Sequence, residues 1–362
     1  MSPGFPAVFA VQCAVDSALS AWDGEELAEA IASWGFKPSH AARLLRAYYA
    51  ADGVLPGALP GVPSALIERW HAAPDLVPRV VDRRRSGDGT TKLLLGLRDG
   101  RTVEAVLMPD HRPDRAGGCV STQVGCAMGC DFCATTRPGF ERHLTSGEIV
   151  EQFLALRREA AAVGRRLQTV VFMGMGEPLL NFEAVAAAVR RMADNRLGAL
   201  GWRQITVSTV GIVPGIDALT ELGWKIQLAV SLHAPDDATR ATLIPVGRRY
   251  AIDEILAAAD RFQARRGMPV TLQYCLLAGV NDAPEQADRL AALLVGRRMH
   301  VNLLRYNPTG PGPSGRAYRP VTHAVEAAFV GVLASRGVVV HVRRSRGPDI
   351  DAACGQLRAR SG

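Results

Sequence analysis

No stretch of the 362-residue sequence is apolar for long enough to cross a bilayer as a helix, which leaves out a helical membrane protein. The apolar run FPAVFAVQCAVDSALSA near the start follows no Lys or Arg and is broken by Asp16, so an export signal is not expected. Cysteine is sparse and odd in number, with seven residues at positions 13, 119, 126, 130, 133, 275 and 354. Such a set does not make the disulfide framework of a small secreted protein; it fits thiol or metal chemistry in a reducing, cytoplasmic setting. Internal repeats and low-complexity tracts are missing, as are the signatures of RRM, KH and zinc-finger modules.

What is present is material for a full core. Hydrophobic residues make up 48% of the chain, enough for one large domain and a smaller one. Lys and Arg total 42 against 35 Asp and Glu, and the net +7 suits an anionic partner without specifying nucleic acid. The arginine groups in VDRRRS, GRRY, VGRR and HVRRSRGPDID are candidates for phosphate contact, although such runs are more often solvated faces.

Apolar residues at three and four spacing predict helices in EELAEAIASWGF and HAARLLRAYYA, with a shorter one in PSALIERWHAA. In TTKLLLGLRDGRTVEAVLMP two β-like runs flank Asp99-Gly100, a dipeptide suited to a tight hairpin turn. After Gly118, apolar runs such as TVVFMG, QITVSTVG, KIQLAVSLH, VTLQYCLL and HVNLLRYN alternate with amphipathic helical segments. That alternation is the mark of a parallel sheet covered by helices. With CVSTQVGC counted as the first strand there are about six βα units, too few for a closed eight-fold barrel, so the fold class is α/β with a partial (βα)6 barrel. The expected division is a helical domain over 1–75, the β-hairpin region over 76–115, the barrel over 116–345 and a C-terminal segment over 346–362. Polar and unusual residues collect at the strands' carboxyl ends, where chemistry sits in such folds. GPGPSGRAYRP is the one Gly/Pro-rich loop and reads as a mobile lid or a substrate contact.

GCAMGCDFCATT places Cys126, Cys130 and Cys133 on one turning loop, with Gly125 and Gly129 where the backbone must bend. Three thiolates at this spacing fit an iron–sulfur cubane that keeps one iron open. Structural zinc is the rival, but it wants four ligands, and the nearest other candidate, His143, is ten residues on. Buried inert thiols are the bland alternative, and they remain the reading for Cys13 and Cys275, the latter mid-strand in LQYCLL.

The loop, with Phe132 before its third Cys, resembles the cluster loop of radical S-adenosylmethionine (SAM) enzymes. Together, CVSTQVGCAMGCDFCATT, FMGMGEPLLN, STVGIVPGI, VSLHAPDDATR and GPDIDAACGQL resemble the RlmN/Cfr family of RNA adenine methyltransferases, over about Asp88 to Leu357. The resemblance implies a radical-SAM barrel with a 4Fe–4S cluster on Cys126, Cys130 and Cys133. It implies SAM contacts at Gly176, Glu177, Ser208, Ser231, Leu232, His233 and Asn307. It further implies that Cys354 takes a methyl group from one SAM, and that a radical from a second SAM then activates the S-methyl for addition to adenine. Cys119 matches the residue that resolves the protein–RNA adduct, by proton removal and a transient disulfide with Cys354. Glu104 matches a proton acceptor. The implied partners are 23S rRNA, with tRNA as a second target, and an electron donor such as flavodoxin or ferredoxin. An aromatic ring carbon in adenine is electrophilic and cannot attack a SAM methyl as an amine would, so a covalent relay through sulfur divides one hard transfer into feasible steps.

Thr136, His143, Gly247 and Arg305 depart from the commonest family pattern. The catalytic cysteines are shared between members that methylate carbon 2 and those that methylate carbon 8. The alternatives are therefore a carbon 8 enzyme or a paralogue acting on another RNA. A radical-SAM enzyme that does not methylate would have no use for Cys119 and Cys354. A metal-stabilised RNA-binding module would have no use for the SAM-contacting residues.

Overall fold

The computed structural model describes Val15 and residues 17–358; Cys13 lies outside them. Three short helices open the chain: α1 (Gly24–Ser33), α2 (His40–Ala50) and α3 (Ser64–His71). Asp23 and Glu26 close a reciprocal capping box at the start of α1, satisfying donors that the first helical turn leaves orphaned. Leu27, Ile31, Leu44, Leu66 and Ile67 bury the inner faces of this trio.

Strands follow: β1 (Arg79–Arg85), β2 (Thr91–Gly96), β3 (Thr102–Pro109), β4 (Arg115–Cys119), and the short β5 (Gln123–Gly125) and β6 (Phe140–His143). The β2–β3 hairpin turns at Asp99-Gly100 as its sequence predicts, with Gly100 at φ +81°. The alternating part comprises α4 (Ser146–Ala162), β7 (Arg166–Phe172), α5 (Phe182–Ala193), β8 (Ile205–Thr209), α6 (Val213–Glu221) and β9 (Gln227–Ser231). It continues through α7 (Asp237–Leu243), α8 (Ile252–Arg266), β10 (Val270–Leu276), α9 (Pro284–Leu293), β11 (Met299–Arg305), α10 (His323–Ser335) and β12 (Val340–Arg343).

One ten-stranded sheet runs in the order β1-β2-β3-β4-β7-β8-β9-β10-β11-β12. Its first four strands are mutually antiparallel. From β4 onward all neighbours are parallel. The helix-covered βα units number six, as read from the sequence, and β12 adds a seventh parallel strand at the edge. The first parallel strand ends at Cys119, and Gln123–Gly125 leaves it to pair with Phe140–His143 in a two-stranded ribbon. That ribbon brackets the cysteine loop at both ends.

The two edges of the large sheet are tied together. Ser86 Oγ, after β1, donates to Asp349 Oδ1 at 2.6 Å, and the Gly347 N–H donates to Asp88 Oδ2 at 3.1 Å. Lys92 Nζ reaches the Asp351 carbonyl at 3.1 Å. The segment after β12 thereby spans the open side of the partial barrel. Among the described residues, no helix is long and apolar enough to cross a membrane.

Candidate active site

A cavity partly open to solvent lies at the carboxyl ends of β7 to β11. Cys126, Cys130 and Cys133 line it together with Gly176, Glu177, Ser208, Ser231, His233, Asn307 and Cys354. Three sequence-predicted residues stand outside its wall. Leu232 is wholly buried in the core. Cys119 is buried at the end of β4, and Glu104 is buried on β3.

The cysteine loop has its shape from glycine. Gly125 and Gly129 adopt φ of +71° and +69°, and a Cβ on Gly125 would overlap the Gly139 carbonyl oxygen, to which Cys126 donates its N–H at 3.0 Å. Burial pushes all three thiols above their ordinary value, Cys126 to about 12. Three sulfurs held this way carry charge at neutral pH only if a cation sits among them, which suits a metal cluster. Among the described residues no three His, Cys, Asp or Glu side chains surround one point closely enough to hold a single metal ion. The ligands of a cubane each take a different iron and need not converge so tightly.

Glu177 follows Gly176, whose φ of +98° and close approach to Gln123 leave no room for a side chain. Its carboxylate accepts the Leu179 N–H at 3.0 Å and the Val210 N–H at 2.8 Å, while Gln123 Oε1 accepts its backbone N–H at 2.8 Å. Burial raises its pKa to about 7. His233 sits in the left-handed region, at φ +58°. Asn281 holds its carbonyl at 2.7 Å, and the Cys275 N–H donates to its Nδ1 at 2.9 Å. Burial, with the Arg240 charge adding, lowers His233 to about 3. The ring is therefore neutral with its proton on Nε2, edge-on to Phe132 at 4.9 Å.

Cys354 is exposed on the cavity wall, in a segment laced to two other loops. The Gly355 carbonyl accepts the Ala134 N–H at 2.7 Å, the Leu357 carbonyl accepts Thr135 Oγ1 at 2.6 Å, and the Cys354 carbonyl accepts Asn307 Nδ2 at 3.3 Å. Behind it, burial pushes the Cys119 thiol up to about 12, and charge on Cys354 adds to the shift, so the two thiols are electrostatic neighbours. Both are free. Glu104 Oε1 pairs with Lys92 Nζ at 3.0 Å, and its Oε2 accepts the Arg358 N–H at 2.8 Å, which places the carboxylate beneath the Cys354 segment.

A profile described as the radical SAM superfamily matches residues 120–291. A protein of Opitutus terrae named probable dual-specificity RNA methyltransferase RlmN 1 is 65% identical over 341 residues, 93% of this chain and 96% of that protein. The chain belongs to the RlmN family of radical SAM methyltransferases. An RlmN of Streptomyces griseus is 44% identical, covering 92% of each chain. The crystal structure of a radical SAM methyltransferase from Sphaerobacter thermophilus superposes with a TM-score of 0.89 at 42% identity, covering 95% of this chain and all of that one. Membership in the RlmN family makes the chain a radical SAM enzyme and implies SAM and an iron–sulfur cluster as its cofactors.

Some neighbours of the site escape a sequence reading. Cys275, read as an inert strand thiol, lines the cavity near Cys354, although burial still drives its pKa upward. Asp131, between two of the loop cysteines, accepts the Ser314 N–H at 2.7 Å, Ser314 Oγ at 2.5 Å and the Tyr318 hydroxyl at 2.7 Å. These bonds pin down the Gly/Pro-rich loop, which is anchored rather than a free lid. His143 and Arg305, two departures from the family pattern, have local partners: the ring of His143 bonds Gln123 at 3.1 Å, and Arg305 pairs with Glu326 at 3.4 Å. Among the arginine groups, Arg83 pairs with Glu159, Arg84 with Asp82 and Arg297 with Asp260, so these carry less free charge than their sequence suggests.

Proposed function

We propose that this chain methylates carbon 2 of an adenine in 23S rRNA and in tRNA, with Cys354 as the methyl carrier. The observation that carries the reading is that Cys354 lines the same cavity as Cys126, Cys130 and Cys133, with the buried Cys119 within its electrostatic reach. The dual-specificity name of the relatives supports two RNA targets.

In this reading Cys126, Cys130 and Cys133 hold a 4Fe–4S cluster, which supplies the electron for radical cleavage of SAM. Gly176, Glu177, Ser208, Ser231, His233 and Asn307 bind SAM, with Leu232 contributing through its backbone only. Glu177 receives the SAM ammonium, and the Nε2–H of His233 donates to an acceptor on the bound molecule. The Cys354 thiolate would attack the SAM methyl carbon, releasing S-adenosylhomocysteine, and carry the methyl as a thioether, while Asn307, Ala134 and Thr135 fix the segment that presents it. Glu104 is the proton acceptor, and Cys119 forms the transient disulfide with Cys354 that frees the methylated RNA. Residues 1–75 assist in holding the RNA, 76–115 join them to the barrel at 116–345, and 346–362 deliver the carrier. A flavodoxin or ferredoxin reduces the cluster in the cytoplasm, where both RNAs reside.

The test is mass spectrometry of rRNA and tRNA digests after incubation with reductant and SAM. The expected product is 2-methyladenosine in both RNAs, lost in Cys354→Ala. 8-methyladenosine would move the enzyme to the other carbon, and product from Cys354→Ala would remove the relay. Cys119→Ala is expected to accumulate a covalent protein–RNA adduct.

A further inference from the structure

Among the described residues, the largest side chain withdrawn from solvent is a cation, Arg240, 1% exposed on α7. That helix supports the cysteine loop from below. The Leu243 carbonyl accepts the Asp131 N–H at 2.9 Å, Pro245 packs under Gly129, and Leu243 and Ile244 share an apolar cluster with Cys130 and Phe132.

Arg240 Nη2 donates to the Val210 carbonyl, and the Val210 N–H in turn goes to Glu177, so the backbone of one residue links the guanidinium to the carboxylate proposed to bind SAM. Nε and Nη1 of Arg240 find no acceptor among the described residues. A buried guanidinium with idle donors and no ion pair among the described residues is costly. Of the acids nearest in sequence, Asp236 caps α7 through the Thr239 N–H, and Asp237, whose Oδ1 accepts the Ile252 N–H, acts on the guanidinium only through space. Cys130 is an electrostatic neighbour of the guanidinium, and Val210, whose carbonyl the guanidinium bonds, packs on the same apolar cluster as Cys130. A neutral thiol does not compensate a cation; a cluster-bound thiolate does.

We propose that Arg240 is a positioning residue for the iron–sulfur cluster, its fixed, buried positive charge behind the cysteine loop favouring the reduced, more negative state. This inference rests on the cluster reading of Cys126, Cys130 and Cys133.

The experiment is an anaerobic redox titration with dithionite, followed by electron paramagnetic resonance, on cluster-loaded wild type, Arg240→Gln, Arg240→Met and Arg240→Lys. At the wild-type midpoint the neutral variants are expected to hold at least tenfold less reduced relative to oxidised cluster, about 59 mV for one electron. Arg240→Lys is expected to recover most of the difference. Equal midpoints in all four loaded proteins would overturn the role of Arg240 and leave the cluster reading standing. Wild type without iron would overturn the cluster reading instead. Should the neutral variants not load, melting of the metal-free proteins decides. Metal-free Arg240→Met should melt above metal-free wild type, because an uncompensated buried charge has gone, and a lower melting point would make Arg240 a purely structural residue and sink the proposal.

Discussion

At Gly125 the cysteine loop leaves β5 with φ +71°, and the space a side chain would take is filled by the Gly139 carbonyl. Gly125→Ala is therefore expected to cost about 2 kcal/mol or more, the left-handed penalty plus a displaced backbone. Iron per chain after anaerobic reconstitution should fall well below the roughly four that a cubane requires; an undiminished value would show that the loop tolerates the change. Glu177 offers a second residue-scale test. Burial raises its carboxyl to about 7, so the group is mostly protonated below that pH and must lose its proton before it pairs with the SAM ammonium. Affinity should weaken as pH falls, by about tenfold in Kd per unit below 7. Equilibrium binding of SAM to the cluster-loaded enzyme measures this, and Glu177→Gln should bind more weakly at pH 8 with a flatter profile. Gly125 was legible in the sequence from the spacing of the cysteine loop, and Glu177 only through the resemblance of its Gly-Glu pair to the family's motif. Arg240 and Asp131 were not, because an arginine inside a short helix and an aspartate beside a cysteine look like surface groups until tertiary packing encloses them.

At the scale of elements, the hairpin and the six βα units could be read because each has a local signal: Asp99-Gly100 for the turn, continuous apolar runs for buried strands, and spaced apolar residues for helices. The edge strands could not. β1 is RVVDRRR and β12 is VHVR; each has a partner on one side only and exposes most of its side chains, so neither needs the apolar pattern that marks a buried strand. The β5–β6 ribbon is too short to show a period. The Gly/Pro-rich loop illustrates the converse, since its composition predicts mobility while Asp131 supplies three hydrogen bonds to Ser314 and Tyr318. Bonds to a charged acceptor contribute about 1.5–3 kcal/mol each. Asp131→Ala should therefore speed amide hydrogen exchange across residues 312–318 by at least about tenfold, with little change in α8 or α9. Unchanged exchange in the loop would mean that its Tyr306–Tyr318 contact suffices.

For the molecule as a whole, the segment that carries Cys354 is held by the far side of the sheet. Lys92 on β2 pairs with Glu104 on β3 and also binds the Asp351 carbonyl, while Glu104 accepts the Arg358 N–H, so one buried ion pair grips the segment on both sides of the thiol. Both charged side chains are about as enclosed as core residues, at 7% and 6% exposure. Removing one partner leaves the other charge buried and uncompensated, which costs about 3–5 kcal/mol, whereas replacing both by apolar groups is often nearly neutral. Lys92→Met should therefore lower unfolding stability by that order, and Lys92→Met with Glu104→Leu should recover most of it, a coupling that denaturant unfolding of the four proteins of the double-mutant cycle measures directly. The recovered protein separates two roles of the pair. If Glu104 serves only to hold the segment, methyl transfer from SAM to Cys354 fails along with RNA methylation, because the thiol is no longer presented. If Glu104 is the proton acceptor, Cys354 still becomes methylated and the covalent RNA adduct accumulates, so mass spectrometry of the protein distinguishes a grip on the carrier from a step in the chemistry.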